Sequence, residues 1–247
     1  MKKILSIALC VTAVSAFADP AEVVLGQVGV TAITTSLSNV IVAVSYDDLA
    51  GGTGMVYSNL VKTTNLTAGD RLVEFRNNKY TGWVLEQSGD VKYWREQQGV
   101  FKDSAGKDIT LSSPAADTAT GAVGTGIWLV RQNPTDDKGV VPFYIYGKPV
   151  SAAESKIPAG TWTLVGNPLQ QHEVKIGTAT DEGEFVAVVD GAQTGDQIVT
   201  VDNDGTLLYF GYVKNKGWDE LPNIKPGIGF WIRTEAATTI KWPKDKE

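Results

Sequence analysis

Apolar and polar residues alternate over short stretches of this chain, and helical spacing is almost absent. Val40-Ile41-Val42-Ala43-Val44 is continuous and mostly β-branched, as a strand covered on both faces would be. Residues 72–75, the pair Asn77-Asn78 and residues 79–85 read as a hairpin with an Asn-rich turn. The same plan returns at 198–201, Asn203-Asp204-Gly205 and 206–212, where Asp-Gly supplies the positive φ of a tight turn. Phe143-Tyr144-Ile145-Tyr146 and residues 238–242 look like closing strands. Ser151-Ala152-Ala153-Glu154 fits a capping box that Pro158 stops, with an irregular connection as the alternative. Val23-Val24-Leu25 and Val28-Gly29-Val30 are β-prone. They are predicted to pair inside the first module; the sharper alternative is a strand that pairs with a neighbouring molecule.

The pattern occurs twice. Gly69-Asp70-Arg71-Leu72-Val73 returns as Gly195-Asp196-Gln197-Ile198-Val199, and Gly124-Thr125-Gly126-Ile127-Trp128-Leu129 as Gly227-Ile228-Gly229-Phe230-Trp231-Ile232. A tryptophan, Trp94 or Trp218, lies between those anchors in each copy. Three landmarks in one order indicate a duplicated unit. The predicted fold is therefore all-β: two related antiparallel β-sandwich or small-barrel modules in tandem. A single pseudo-symmetric structure in which the copies share strands is the alternative. The predicted boundaries are a leader at 1–18, a first module at 19–147, a linker at 148–159 and a second module at 160–247. Residues 97–122 have no counterpart in the second copy. Their Ser, Thr, Ala, Gly and Asp content predicts an exposed loop.

The beginning of the chain predicts export. Lys2 and Lys3 precede an apolar run over 4–14 and then Ala16-Phe17-Ala18, a charged region, an apolar region and an A-x-A cleavage site. The run is too short to span a bilayer. Cys10 is the only cysteine and lies in that run, so a cleaved chain has no disulfide and draws its stability from its core. The expected location is periplasmic, cell-surface or extracellular. The charge is −6, or −8 without Lys2 and Lys3, and no basic cluster exists. That argues against a nucleic-acid partner.

Trp162-Thr163-Leu164-Val165-Gly166-Asn167-Pro168 resembles the opening of a repeat found in secreted bacterial surface proteins, of the form W-x-L-V-G-N-P, G-D-x-I, P-G-x-G-F-W-I. Gly195-Asp196-Gln197-Ile198 and Pro226-Gly227-Ile228-Gly229-Phe230-Trp231-Ile232 match its later elements. The likeness covers about residues 160–242. It is looser in the first copy, where the opening Trp and Asn-Pro are missing and Val123 replaces the proline. It implies exported, β-rich, often multi-copy envelope or extracellular modules with no assigned chemistry.

Candidate chemistry is thin. Alternation puts Ile228, Phe230 and Ile232 on one face and Gly229, Trp231 and Arg233 on the other, with Ile127 and Leu129 opposite Trp128 in the first copy. Asp70 and Asp196 are expected to cap the turns before their strands. Asp202-Asn203-Asp204-Gly205 lacks the spacing of a calcium loop and reads as a hairpin turn. Asp181, Glu182 and Glu184 read as a solvated loop. His172 is the only histidine, so a His-rich metal site is excluded, and it is expected in a solvent-exposed polar loop. No G-x-S-x-G elbow, P-loop or dinucleotide fingerprint occurs, and no acidic pair stands out for a glycosidase. The expectation is a protein without catalytic residues, metal or cofactor. It would be a structural module of the envelope or extracellular space, partnered by itself or by other envelope proteins. Trp83, Trp94 and Trp218 are read first as core or hairpin-packing residues; the alternative is a carbohydrate-binding or adhesive module in which these three, lying near turns, are exposed and stack on glycans. The remaining signature positions, Gly69, Gly126, Trp128, Trp162, Asn167, Pro168, Gly195, Gly227, Gly229, Phe230 and Trp231, are read as structural.

Overall fold

The computed structural model describes residues 29–49, 54–57, 65–76, 79–102, 108–114, 120–149, 154–169, 171–181 and 183–243. The leader expected at 1–18 and residues 151–153 of the capping-box segment lie outside them. All regular structure among the described residues is β, and no helix is long and apolar enough to cross a membrane.

The first module contains β1 (Gly29–Ile33), β2 (Asn39–Ala43), β3 (Tyr46–Asp47), β4 (Met55–Val56), β5 (Arg71–Arg76), β6 (Lys79–Ser88) and β7 (Val91–Glu96). It continues through β8 (Gln98–Lys102), β9 (Asp108–Ser112), β10 (Thr120–Gly121), β11 (Gly126–Val130), β12 (Thr135–Asp136), β13 (Gly139–Val140) and β14 (Phe143–Pro149). The second module contains β15 (Glu154–Ile157), β16 (Trp162–Gly166), β17 (Val174–Gly177), β18 (Val186–Val189) and β19 (Gln197–Val201). β20 (Leu207–Val213), β21 (Gly217–Trp218), β22 (Asn223–Ile224), β23 (Gly229–Arg233) and β24 (Thr238–Lys241) complete it.

Each module has a main sheet, β2-β11-β5-β6-β9-β8 with β7 beside β6 in the first and β16-β23-β19-β20-β21 in the second. Each also has a second sheet, β1-β14-β3 or β15-β24-β18-β17-β22. Pairing is antiparallel except at β6–β9 and β17–β18. The registers coincide. Trp128 pairs with Val73 as Trp231 pairs with Val199, and Leu72 pairs with Trp83 as Ile198 pairs with Phe210. Leu85 opposite Trp94 corresponds to Tyr212 opposite Trp218.

A core lies between the two sheets of each module. Val40, Leu72, Trp83, Ile127 and Leu129 of the first main sheet meet Ile33, Phe143 and Ile145 of its second sheet. Val165, Ile198, Phe230 and Ile232 meet Ile157, Ile176, Val189 and Ile240 in the other module. Burial of each such side chain contributes about 1.5–3 kcal/mol. The copies are two sandwiches.

They are also joined by backbone bonds. The Ala43 amide donates to the Gly227 carbonyl at 2.8 Å and the Gly166 amide to the Gly124 carbonyl at 3.0 Å, equivalent bonds about a pseudo-twofold axis. The single bridges Val42–Ile228 and Thr125–Val165 are related in the same way. Ile228 packs against both cores.

Two expectations are corrected. The linker at 148–159 contains the end of β14 and all of β15, because the alternation in Glu154-Ser155-Lys156-Ile157 buries Ile157 against the second core. The insertion at 97–122 is not simply a loop: β8 and β9 form a hairpin that extends the first main sheet, and β10 pairs with β4. The strand-prone 29–33 pairs inside the first module, with β14, as expected.

Candidate functional site

A matched pair of aspartates sets the strands of the main sheets. The Asp70 carboxylate accepts the Thr67 amide at 2.9 Å and the Gln132 amide at 2.7 Å. The Asp196 carboxylate accepts the Gln193 amide at 2.8 Å and the Glu235 amide at 2.8 Å. Each therefore ties the turn before β5 or β19 to the end of β11 or β23. Gly69 and Gly195 precede them at φ +97° and +105°, a left-handed backbone that side chains resist. Beside the first of these latches, buried Arg131 donates to the Val141 carbonyl at 2.8 Å and lies over the Phe143 ring. Burial pulls its guanidinium below the ordinary value, with the Asp70 charge opposing. The second copy has Thr234 there.

With the strands so fixed, their two-residue period turns Ile41, Val73, Phe75 and Trp128 away from the first core and Leu164, Val199, Val201 and Trp231 away from the second. These two faces meet. The Trp128 and Trp231 rings approach edge to face at 6.2 Å across the pseudo-twofold axis. Phe75 packs against Trp231 at 5.4 Å and Tyr80 at 4.7 Å. Close approach needs glycine on both inner strands. A Cβ on Gly126 would lie 3.0 Å from the Val165 carbonyl oxygen, and one on Gly229 would lie 2.6 Å from it.

The faces do not close completely. Phe75 covers Trp231, but the symmetry-related position facing Trp128 is Val201, which is smaller. A cleft of about 630 Å³ remains between the modules. The first module lines it with Leu37, Ser38, Asn39, Ile41, Phe75, Tyr80 and Trp128. The second contributes Trp162, Val199, Val201, Gly205, Leu207, Tyr209 and Trp231. Among the described residues, no carboxylate, imidazole, amine or guanidinium belongs to this lining. The described residues contain no group of three or more His, Cys, Asp or Glu that could hold a metal ion. The size and composition of this cleft suit a neutral, largely apolar group, with a few hydroxyls and the Asn39 amide as its polar groups.

The three tryptophans that the sequence reads first as core or hairpin-packing residues, and in the alternative as exposed sugar platforms, are inside. Trp83, Trp94 and Trp218 are 0%, 7% and 6% exposed. Trp83 donates its indole N–H to the Pro114 carbonyl at 2.8 Å and packs edge to face on Tyr57. Trp94 and Trp218, at matching positions, have buried indole nitrogens without a hydrogen-bond partner among the described residues. Their strands turn them into the cores, so none offers a ring face to a sugar. The rings that do line a cleft are Trp128, Trp162 and Trp231.

Other candidates resolve as follows. Asn167 is buried; its amide donates to the His172 and Ile224 carbonyls, and its oxygen accepts the Leu169 amide, shaping the turn with Pro168. Phe230 is core, and the Gly227 carbonyl forms the inter-module bond. His172 is half-buried and stacks flat on Phe185 at 4.0 Å, which corrects the expectation of an exposed ring. Asp204 accepts the Thr206 amide and closes the β19–β20 turn. Asp181 accepts the Thr178 amide and hydroxyl. Residues that sequence reasoning missed are Phe75, Tyr80, Trp162, Val201 and Tyr209. Outward parity was readable for several of them, but that the outward faces of two copies meet was not. No family model, curated protein or solved structure matches the chain.

Proposed function

We propose that the protein is a non-catalytic exported module of the envelope or extracellular space that holds an apolar group of a binding partner between its two copies. One observation carries the reading: the duplicated Trp128 and Trp231 lie in a cleft of about 630 Å³ whose described lining has no carboxylate, imidazole, amine or guanidinium. Volume and lining are those of a binding site rather than of a packing defect. The cleft also continues onto Leu207 and Tyr209, which are 49% and 68% exposed, and exposed apolar patches of that kind mark interaction surfaces. The leader-like beginning of the chain supports export.

Val201→Phe tests the assignment, because it places on the second copy the ring that Phe75 supplies on the first. Anilinonaphthalene sulfonate, a fluorescent probe whose apolar rings carry one sulfonate that can stay in solvent, is expected to bind the wild-type cleft and to lose about tenfold in affinity in the variant. Folding stability should stay within about 1 kcal/mol. Unchanged probe binding in a folded variant contradicts the assignment.

A glycan ligand is the second reading. Half-buried Trp162 lines the same cleft as Ser38 and Asn39, which supplies an aromatic ring and polar groups to one site. A glycan array read with wild type and Trp162→Ala separates the two: sugar binding lost in that variant favours the glycan.

A further inference from the structure

We propose that the open edge of β20 pairs with β20 of a second copy of this chain, antiparallel and centred on Leu208. The argument is a comparison of equivalent backbone groups, independent of what the cleft holds.

Register places Tyr80, Thr81 and Gly82 of β6 where Leu207, Leu208 and Tyr209 stand in β20. In the first copy this edge is satisfied from within the chain. The Gly82 amide donates to the Ser113 hydroxyl at 2.6 Å, and the Gly82 carbonyl accepts the Gln97 amide at 2.8 Å. Tyr80 pairs with Leu111 of β9. All three partners belong to the 97–122 insertion.

The second copy lacks that insertion. On the side of β20 away from β19, β21 reaches only Tyr212 and Val213, and Asp219 bonds Gly211 in both directions. The Gly211 N–H and C=O therefore face the outer edge, and the two-residue period turns those of Tyr209 and Leu207 the same way. No strand pairs there among the described residues. The side chains around this edge are apolar and exposed: Leu207 49%, Leu208 38%, Tyr209 68%.

Monomeric proteins blunt such edges with lysine, proline, a bulge or a cover. Leu207-Leu208-Tyr209-Phe210-Gly211-Tyr212-Val213 has no charge and no proline. The first copy uses the cover; among the described residues the second has no such device in place. The edge is self-complementary. With a twofold axis through Leu208, Leu207 of one molecule meets Tyr209 of the other, and each such pair exchanges both N–H···O bonds. Leu208 then faces Leu208 as the close, non-hydrogen-bonded pair, and the two isologous surfaces close on each other without propagating. Leu207 and Tyr209 point to the cleft side, so pairing brings the two clefts side by side.

Analytical ultracentrifugation with site-specific cross-linking tests this. The wild-type protein is expected to dimerise reversibly. Leu208→Lys should raise the dimer dissociation constant by about tenfold or more, because it places like charges opposite each other. Tyr209→Pro, which removes an outward N–H but no bond to β19, should do the same. Leu208→Cys should form an intermolecular disulfide under mild oxidation, and Val30→Cys on the exposed face of β1 should not. Cys10 is replaced by Ser in both variants. A wild-type protein that stays monomeric at all concentrations, a dimer unaffected by Leu208→Lys, or cross-linking at Val30→Cys in place of Leu208→Cys overturns the proposal. Near-native circular dichroism of each variant excludes unfolding as the cause.

Discussion

The first copy fills its space and the second leaves it open. Both keep the aspartate latch, the paired tryptophans and the inner-strand glycines in one register. They differ in the side chains that fill space and in the cover on the sheet edge. Trp83, wholly buried, corresponds to half-buried Phe210; Phe75, packed on Trp231, corresponds to Val201 in the cleft; Gly82, bonded to the insertion, corresponds to exposed Tyr209. The aspartates that tie the turns to the inner strands are the same in both copies. The groups that fill or cover surfaces have diverged, and both the cleft and the open edge fall among these. Duplication here supplies a frame twice, and the asymmetry supplies the surfaces.

The largest effect separates the equivalent aromatic positions. Trp83→Ala is expected to cost about 4 kcal/mol, and Phe210→Ala about half of that, because Phe210 is only partly withdrawn from water. Denaturant unfolding measures both, and equal losses would break the contrast between a filled and an open copy. Next come the latches. Asp70→Ala and Asp196→Ala each strand two backbone amides that a carboxylate accepted, at a cost of about 3 kcal/mol apiece. Near-equality of the two losses would sharpen the equivalence; a silent variant at either position would refute it. The glycines follow. Gly229→Ala should destabilise by about 2 kcal/mol and by more than Gly126→Ala, since its new methyl meets a carbonyl oxygen at 2.6 Å rather than 3.0 Å. The reverse order in thermal melts would contradict the packing described.

The smallest effect is one of pH. The Thr206 amide donates to the Asp204 carboxyl and holds it below the ordinary value of 3.8. A carboxyl lowered in the folded state adds stability that is complete above the unfolded value and disappears as the pH falls through the folded one. The stability gap between wild type and Asp204→Ala should therefore be steady near about pH 6 and close toward about pH 2. A gap that widens on acidification would mean that the turn is held by something else.

Much of the frame was legible because period-two patterning and turn residues are local signals. The hairpins at 71–88 and 197–213, the two closing strands and the Asp caps all follow from a few neighbouring residues. Strand β15 was hidden by Pro158 and by its short length. Strands β8 and β9 were hidden by the polar composition around them, although Val100 and Phe101 stand opposite Thr110 and Ile109. The cleft was only half legible. Alternation turned Trp128 and Trp231 away from their cores, but nothing local says that the two outward faces pack on each other, since that contact depends on the bonds from Ala43 to Gly227 and from Gly166 to Gly124. For Trp83, Trp94 and Trp218, proximity to turns suggested exposure; cross-strand partners in the core decided otherwise.

Fluorine NMR of protein labelled with fluorotryptophan, titrated with anilinonaphthalene sulfonate, tests most directly whether the space between the copies is the binding surface. Resonances of Trp128, Trp162 and Trp231, assigned by single Trp→Phe replacements, are expected to move on titration while those of Trp83, Trp94 and Trp218 stay fixed. Movement of the core resonances with the cleft resonances unchanged, or no movement at all, would contradict it.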